Sequence, residues 1–343
     1  LGVLLILAGI LVFIRDRLAL APVDDYNPMD AWTGLGEENI ARVLDDVNRR
    51  IAELEGERDI ESVDDLIELT DPPNAPDNAL HLYKASFNAT TEQEKMALLR
   101  GAVALEKYRY PADWREQLAS YDWWVFPLDD TKVFPGFRET ARFLRSRAIF
   151  AAASGNANQA VEAITLGLQM VRHLGQQPTH LTQMTRNVIQ DLILEGLYET
   201  LVEIDLNDSQ FASLNEAIDS TFDPERVARM EIGERVLYGD EGFQGDEVIA
   251  LGEIASDMRL RVARVVLALE RYRNETGEWA EAYDAFVPDY LDEARIDAFT
   301  GEPIIFRYED GVYDFEIGLD DSVSPQPRDV TVDLAGSETN HIE

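Results

Sequence analysis

Hydrophobic and polar positions follow a helical period over most of the chain and change to a period of two only near its C-terminal end. From Glu37 to Gly56, residues Ile40, Val43, Leu44, Val47, Ile51 and Leu54 fall on one face at helical spacing, close to a heptad seam. The pattern lasts under three heptads, so a helix packed on its own domain is favoured over an intermolecular coiled coil. The stretch "TDPPNAPDN" at 70–78 then forbids helix continuation through Pro72, Pro73 and Pro76 and reads as a linker. A capping box, Thr91 with Glu94, opens the helix that follows it and runs toward Pro111.

The most informative helical stretch lies between Gly136 and Pro178. Two amphipathic segments flank Gly155-Asn156, a pair suited to a tight reversal. Ala148, Ala151, Ala152, Ala160 and Ala163 are small enough to let the two helices approach closely, which predicts an αα-hairpin similar to a tetratricopeptide unit. No second copy recurs at a period of about 34 residues, so a regular repeat array is not supported. Further helices are predicted after Pro178, near 208–220 and from Pro224 to Leu237. A long one covers Val248 to Thr276, with Val262, Val265, Val266, Leu269 and Tyr272 on its buried face. The alternation in "PIIFRYEDGVYDFEIG" predicts two strands joined at Glu309-Asp310-Gly311, where Asp-Gly favours a hairpin turn.

The chain opens "LGVLLILAGILVFIRDRLALAP", with 14 uncharged residues before Arg15. As a helix that run spans roughly 21 Å, short of the ~30 Å hydrocarbon core. A membrane anchor over 1–21 is therefore expected either to continue upstream of Leu1 or to use Leu18 to Ala21, with Arg15 and Arg17 snorkelling. A signal peptide is the rival reading, because Ala19-Leu20-Ala21 resembles a small-x-small cleavage site. Arg15 and Arg17 pull this end toward the cytoplasm, but a large acidic body after a signal-anchor is most often extracytoplasmic, and the bulk of the chain is expected there.

Charge narrows the partners. The 343 residues include 66 acids against 30 bases, a net charge of -36, with lysine only at 84, 95, 107 and 132. Such a chain lacks the basic footprint that nucleic-acid binding needs, and it suits a saline environment that screens self-repulsion. Without cysteine there is no disulfide, thiolate catalysis or Cys-ligated zinc. The 45% hydrophobic content fits a folded protein.

The region from Arg261 to Asp321 is similar to the C-terminal module of type II secretion pseudopilin G-like proteins. Leu269, Tyr272 and Gly277 match the helix motif, Pro288, Tyr290 and Leu291 a P-x-Y-L segment, and Asp297, Phe299, Thr300, Gly301, Pro303 and Tyr308 the D-P-F-T-G-x-P-L-x-Y turn and strand. Gly318 and Asp320 match its end. Ala298 stands in place of the usual proline and Trp279 where Tyr-Pro is common. No glycine-rich acidic loop follows Asp320-Asp321, and in that family the loop binds calcium. The whole chain resembles bacterial, planctomycete-like membrane-anchored helical proteins with an "N-A-x-x-x-Y" helix, here Asn78, Ala79 and Tyr83.

Candidate chemistry is sparse. Asp297, Asp320 and Asp321, with Asp310 and Asp314 nearby, are the calcium candidates, because a hard cation needs six to eight oxygens; solvated surface carboxylates are the alternative. His81, His173, His180 and His341 show no metal-ligand spacing, and His173 and His180 read as helix ends or surface. No G-x-S-x-G, Walker loop or G-x-G-x-x-G occurs. Trp123 and Trp124 in "YDWWVFP" suit either a protein-binding hot spot or core filling. The tail after Asp321 reads as linker, or as an extended arm along a partner.

These readings predict a mainly α protein divided into an anchor (1–21), a juxtamembrane helix and linker (22–77), a helical domain (78–245), a long helix with β-hairpin (246–322) and an extended tail (323–343). The expected role is that of a non-enzymatic, single-pass accessory subunit or scaffold in a membrane complex. A pilin-like filament subunit is one alternative, weakened by Leu5 where pilins carry glutamate and by the module's distance from the anchor. A calcium-dependent hydrolase or sugar-binding module is the other.

Overall fold

The computed structural model describes residues 37–57, 78–108, 133–238, 246–309, 311–316 and 330–334. Over them the protein is mainly helical, with a small antiparallel sheet at the C-terminal end. Helix α1 spans Glu37–Glu57, α2 Leu80–Phe87, α3 Glu92–Val103, α4 Val133–Ala153 and α5 Ala157–Gly175. Then follow α6 His180–Glu203, α7 Asp208–Thr221, α8 Arg226–Tyr238 and α9 Asp246–Thr276. The strands are β1 Ile305–Glu309, β2 Val312–Glu316 and β3 Val330–Asp333.

Local chemistry sets the helix ends. Thr91 accepts a hydrogen bond from the Glu94 amide at 3.2 Å, while the Glu94 carboxylate reaches back to Thr90 rather than to Thr91. A complete capping box forms instead at α7, between Asn207 and Gln210, and Gln210 also donates to Asn158 at the start of α5. Gly155 adopts φ +73° between α4 and α5, and Asn156 caps α5 by accepting from Gln159. The predicted hairpin is thus present, with Ala151, Ala152 and Ala160 buried together at its turn.

Helices α4, α5 and α6 pack on one another, α7 lies on α5, and α2 and α3 cover α4 and α5. Helix α1 turns its apolar face inward on the same chain: Val43, Val47 and Leu54 are buried, and α1 packs on α8 and α9. One cluster of buried side chains runs from Val43 through the α4–α7 helices and α9 to Tyr313, Phe315 and Val332 of the sheet. Arg42 of α1 also donates to the carbonyl oxygens of Phe299 and Ala298, fastening α1 to the turn that precedes β1.

Glu309 pairs with Val312 across the expected two-residue turn, and Gly311 has φ +89°. The strand order is β1-β2-β3, so the sheet contains one strand more than the predicted hairpin. Part of the tail read as linker is that strand: Val330–Asp333 pairs with β2, and the Leu334 amide donates to Gly311 O at 3.0 Å. Val332 and Leu334 are buried against the core, so alternation of β-branched residues outweighs the polar composition around them. Among the described residues no helix is long and apolar enough to cross a membrane. The expected anchor (1–21) and the proline-rich stretch 70–77 lie outside them.

Candidate functional site

Two polar constellations stand out, and α9 supplies residues to both. The first is a buried charge network where α6, α8 and α9 meet. Gln183, Arg186 and Gln190 recur at helical spacing on the inward face of α6, among Ile189, Ile193 and Leu197. Arg226 opens α8, and α9 contributes Glu253 and Asp257 one turn apart. Arg226 donates to the Glu253 carboxylate and to Gln183 Oε1 at 2.9 Å, and lies 3.0 Å from Asp257. Arg186 reaches Asp257 at 3.3 Å, Asn187 donates to Glu253 at 2.7 Å, and Gln190 donates to Ser256 O at 2.6 Å.

Both guanidinium groups are almost wholly excluded from solvent, at 0% and 1% exposure. Burial, with the neighbouring charge of Arg226, pulls the Arg186 guanidinium down to about 10. Arg226 is raised instead, because Asp257 and Glu253 together outweigh the effect of its burial. Gln183 in turn donates to the Leu174 and Gln177 carbonyl oxygens at and just beyond the end of α5, so it links that helix end to Arg226. The Nε of each arginine is buried without a hydrogen-bond partner among the described residues. Next to this network Glu234 of α8 accepts from the His180 amide at 2.7 Å, supplying the N-terminal cap that Thr179 does not make.

The second constellation is a cleft of about 320 Å³ between the end of α7, the middle of α9 and the 293–296 loop. Arg261 and Arg264, one and two turns beyond Asp257, line it together with Arg295. Ile218, Phe222 and Leu260 form its apolar wall. The Arg261 guanidinium lies 5.0 Å over the Phe222 ring and donates to Ile296 O.

Of the residues singled out in the sequence, Asp297 lies beside this cleft. It is 2% exposed; its carboxylate accepts from the Phe299 amide at 2.7 Å and its carbonyl from the Gly301 amide at 2.8 Å. Asp297 therefore shapes the turn whose carbonyls Arg42 holds. Asp310, Asp320, Asp321, Trp123, Trp124 and His341 lie outside the described residues. Asp314 accepts from the Thr331 hydroxyl on the exposed face of the sheet.

His173 and His180 do lie at helix ends, and both are buried rather than on the surface. His173 shares a 2.8 Å hydrogen bond with the Tyr83 hydroxyl and stacks on Tyr108. Burial, with Arg172 next to it, pushes its imidazole down to about 4, and burial raises the Tyr83 phenol. Comparison with protein-family models, with curated proteins and with solved structures gives no match to this chain.

Proposed function

We propose that the chain is a non-enzymatic accessory subunit or scaffold of a membrane complex, held at the bilayer by residues 1–21 and acting through protein contacts. The observation that carries this reading is the fastening of α1 to both halves of the body. Val43 and Val47 are buried against α8, α9 and the main core, and Arg42 donates to Phe299 O and Ala298 O at the far end of the chain. A segment anchored before α1 would therefore tether the helical body and the sheet as one piece. Phe150, Met184 and Ile305 offer apolar contact points, at 75%, 57% and 54% exposure.

The end of the chain is read as pseudopilin G-like. Two of the matched glycines, Gly277 and Gly301, have φ of +74° and +76°, and the matched Leu269 and Phe299 are buried. These residues support that reading as shapers of the turns and core between α9 and β1. The whole reading is tested by purifying the full chain from its native membrane in mild detergent. A constant ratio to a second subunit through successive columns supports it, and a lone monomer overturns it.

A further inference from the structure

The arginine-lined cleft carries an inference that does not depend on the scaffold reading. Three guanidinium groups, Arg261, Arg264 and Arg295, face two carboxylates, Asp219 and Glu293, on its walls. Asp257 and Asp297 also act on Arg261, and Asp292 on Arg264, so these two cations are offset and Arg295 is the one with the weakest partner. Asp219 is matched to Arg264 at 2.9 Å. Arg295 has only Glu293 beside it, at 3.9 Å, and that side chain is 81% exposed. Arg295 also disfavours the charged form of both neighbours, which burial already penalises. A bound anion would give Arg295 the close partner that the exposed Glu293, at 3.9 Å, does not.

The walls decide what kind of anion fits. Ile218, Phe222 and Leu260 present apolar surface beside the guanidinium groups, and about 320 Å³ is at the small end of ligand clefts. A bare inorganic ion would leave that surface wet. We propose that this cleft binds a small organic oxyanion, a carboxylate or phosphate ester, with its charged group at Arg295 and Arg264 and its apolar body along Phe222 and Leu260. The planar fork of arginine suits both carboxylate and phosphate.

The test is isothermal titration of the full chain in detergent with phenylacetate, phenyl phosphate, inorganic phosphate and benzyl alcohol. Saturable binding of phenylacetate or phenyl phosphate is expected, with benzyl alcohol and inorganic phosphate each weaker by about tenfold or more. Whichever organic anion binds more tightly assigns the head group. Arg295→Gln should weaken that anion by about tenfold or more, whereas Arg172→Gln, an exposed arginine on α5, should not change it. Absence of saturable binding by either organic anion overturns the proposal. Equal binding of benzyl alcohol, equal binding of inorganic phosphate, or an unchanged affinity in a folded Arg295→Gln variant does so too.

Discussion

Replacing Arg226 by methionine removes the cation that Glu253 and Asp257 share at the meeting of α6, α8 and α9. Asp257 keeps Arg186 at 3.3 Å, but Glu253, 1% exposed, is left with only the Asn187 amide at 2.7 Å. An uncompensated buried carboxylate of this kind costs about 3–5 kcal/mol. Glu253→Leu should cost less, about 1–3 kcal/mol, because Arg226 loses one carboxylate but keeps Asp257 at 3.0 Å and Gln183 at 2.9 Å. The double variant Arg226→Met/Glu253→Leu leaves neither charge behind, so its loss should fall short of the sum of the singles by about 2–3 kcal/mol. Denaturant unfolding followed by helical circular dichroism measures all three, with an unchanged slope marking a change in stability alone. The exposed pair Arg100–Glu162, at 2.6 Å, serves as the control; its contribution of about 1 kcal/mol or less should fade in salt while that of the buried network does not. Single losses below about 1 kcal/mol, or a double variant equal to the sum of the singles, would refute the claim that these charges compensate one another.

Other consequences concern packing, pH and the turn at Asp297. Gly233→Ala places a Cβ against the backbone carbonyl of Pro178 and should cost about 1–3 kcal/mol, whereas Gly252→Ala, open on all sides, should gain about 0.5–1 kcal/mol; thermal melts separate the two. His173 is held near 4 in the folded chain against 6.5 unfolded, so the unfolded chain binds the proton more readily. Its contribution to stability is full above pH about 6.5 and is lost as pH falls toward about 4, by up to about 3 kcal/mol. A Tyr83→Phe/His173→Phe variant should lose that part of the slope in denaturant titrations across this window. Asp297→Ala removes the acceptor of the Phe299 amide and should cost about 1–2 kcal/mol, equally in calcium and in chelator. A wild-type melting point that rises with calcium while that of the variant does not would make Asp297 a metal ligand instead.

Where neighbours along the chain decide the structure, the sequence was readable. The apolar face of α1, the Gly155 reversal and the Asp-Gly turn each depend on a few adjacent residues. The charge network was not legible, because Glu253 and Asp257 resemble a solvated helix face in a chain with 66 acids. Its one local signal is Gln183, Arg186 and Gln190 interrupting the apolar stripe of α6 at helical spacing. The cleft gathers residues 218–222, 260–264 and 293–296, which no single pattern links. Strand β3 was missed because Val330 and Val332 gain their meaning from pairing with β2, and the stretch between them in sequence is rich in polar residues and proline. Asp297 was identified by its place in a matched motif, and the same motif explains its work in a turn.

The proposed role as a contact-making subunit at a membrane is tested most directly by cross-linking in intact native membranes. Lysines are confined to four positions and acids number 66, so a carboxyl-directed reagent, read by mass spectrometry, reaches far more of the surface than an amine-directed one. The account predicts cross-links from the helical body to one other membrane-associated protein, at a fixed ratio and in repeated preparations. Links confined to this chain alone, or to a changing set of abundant neighbours, would contradict it.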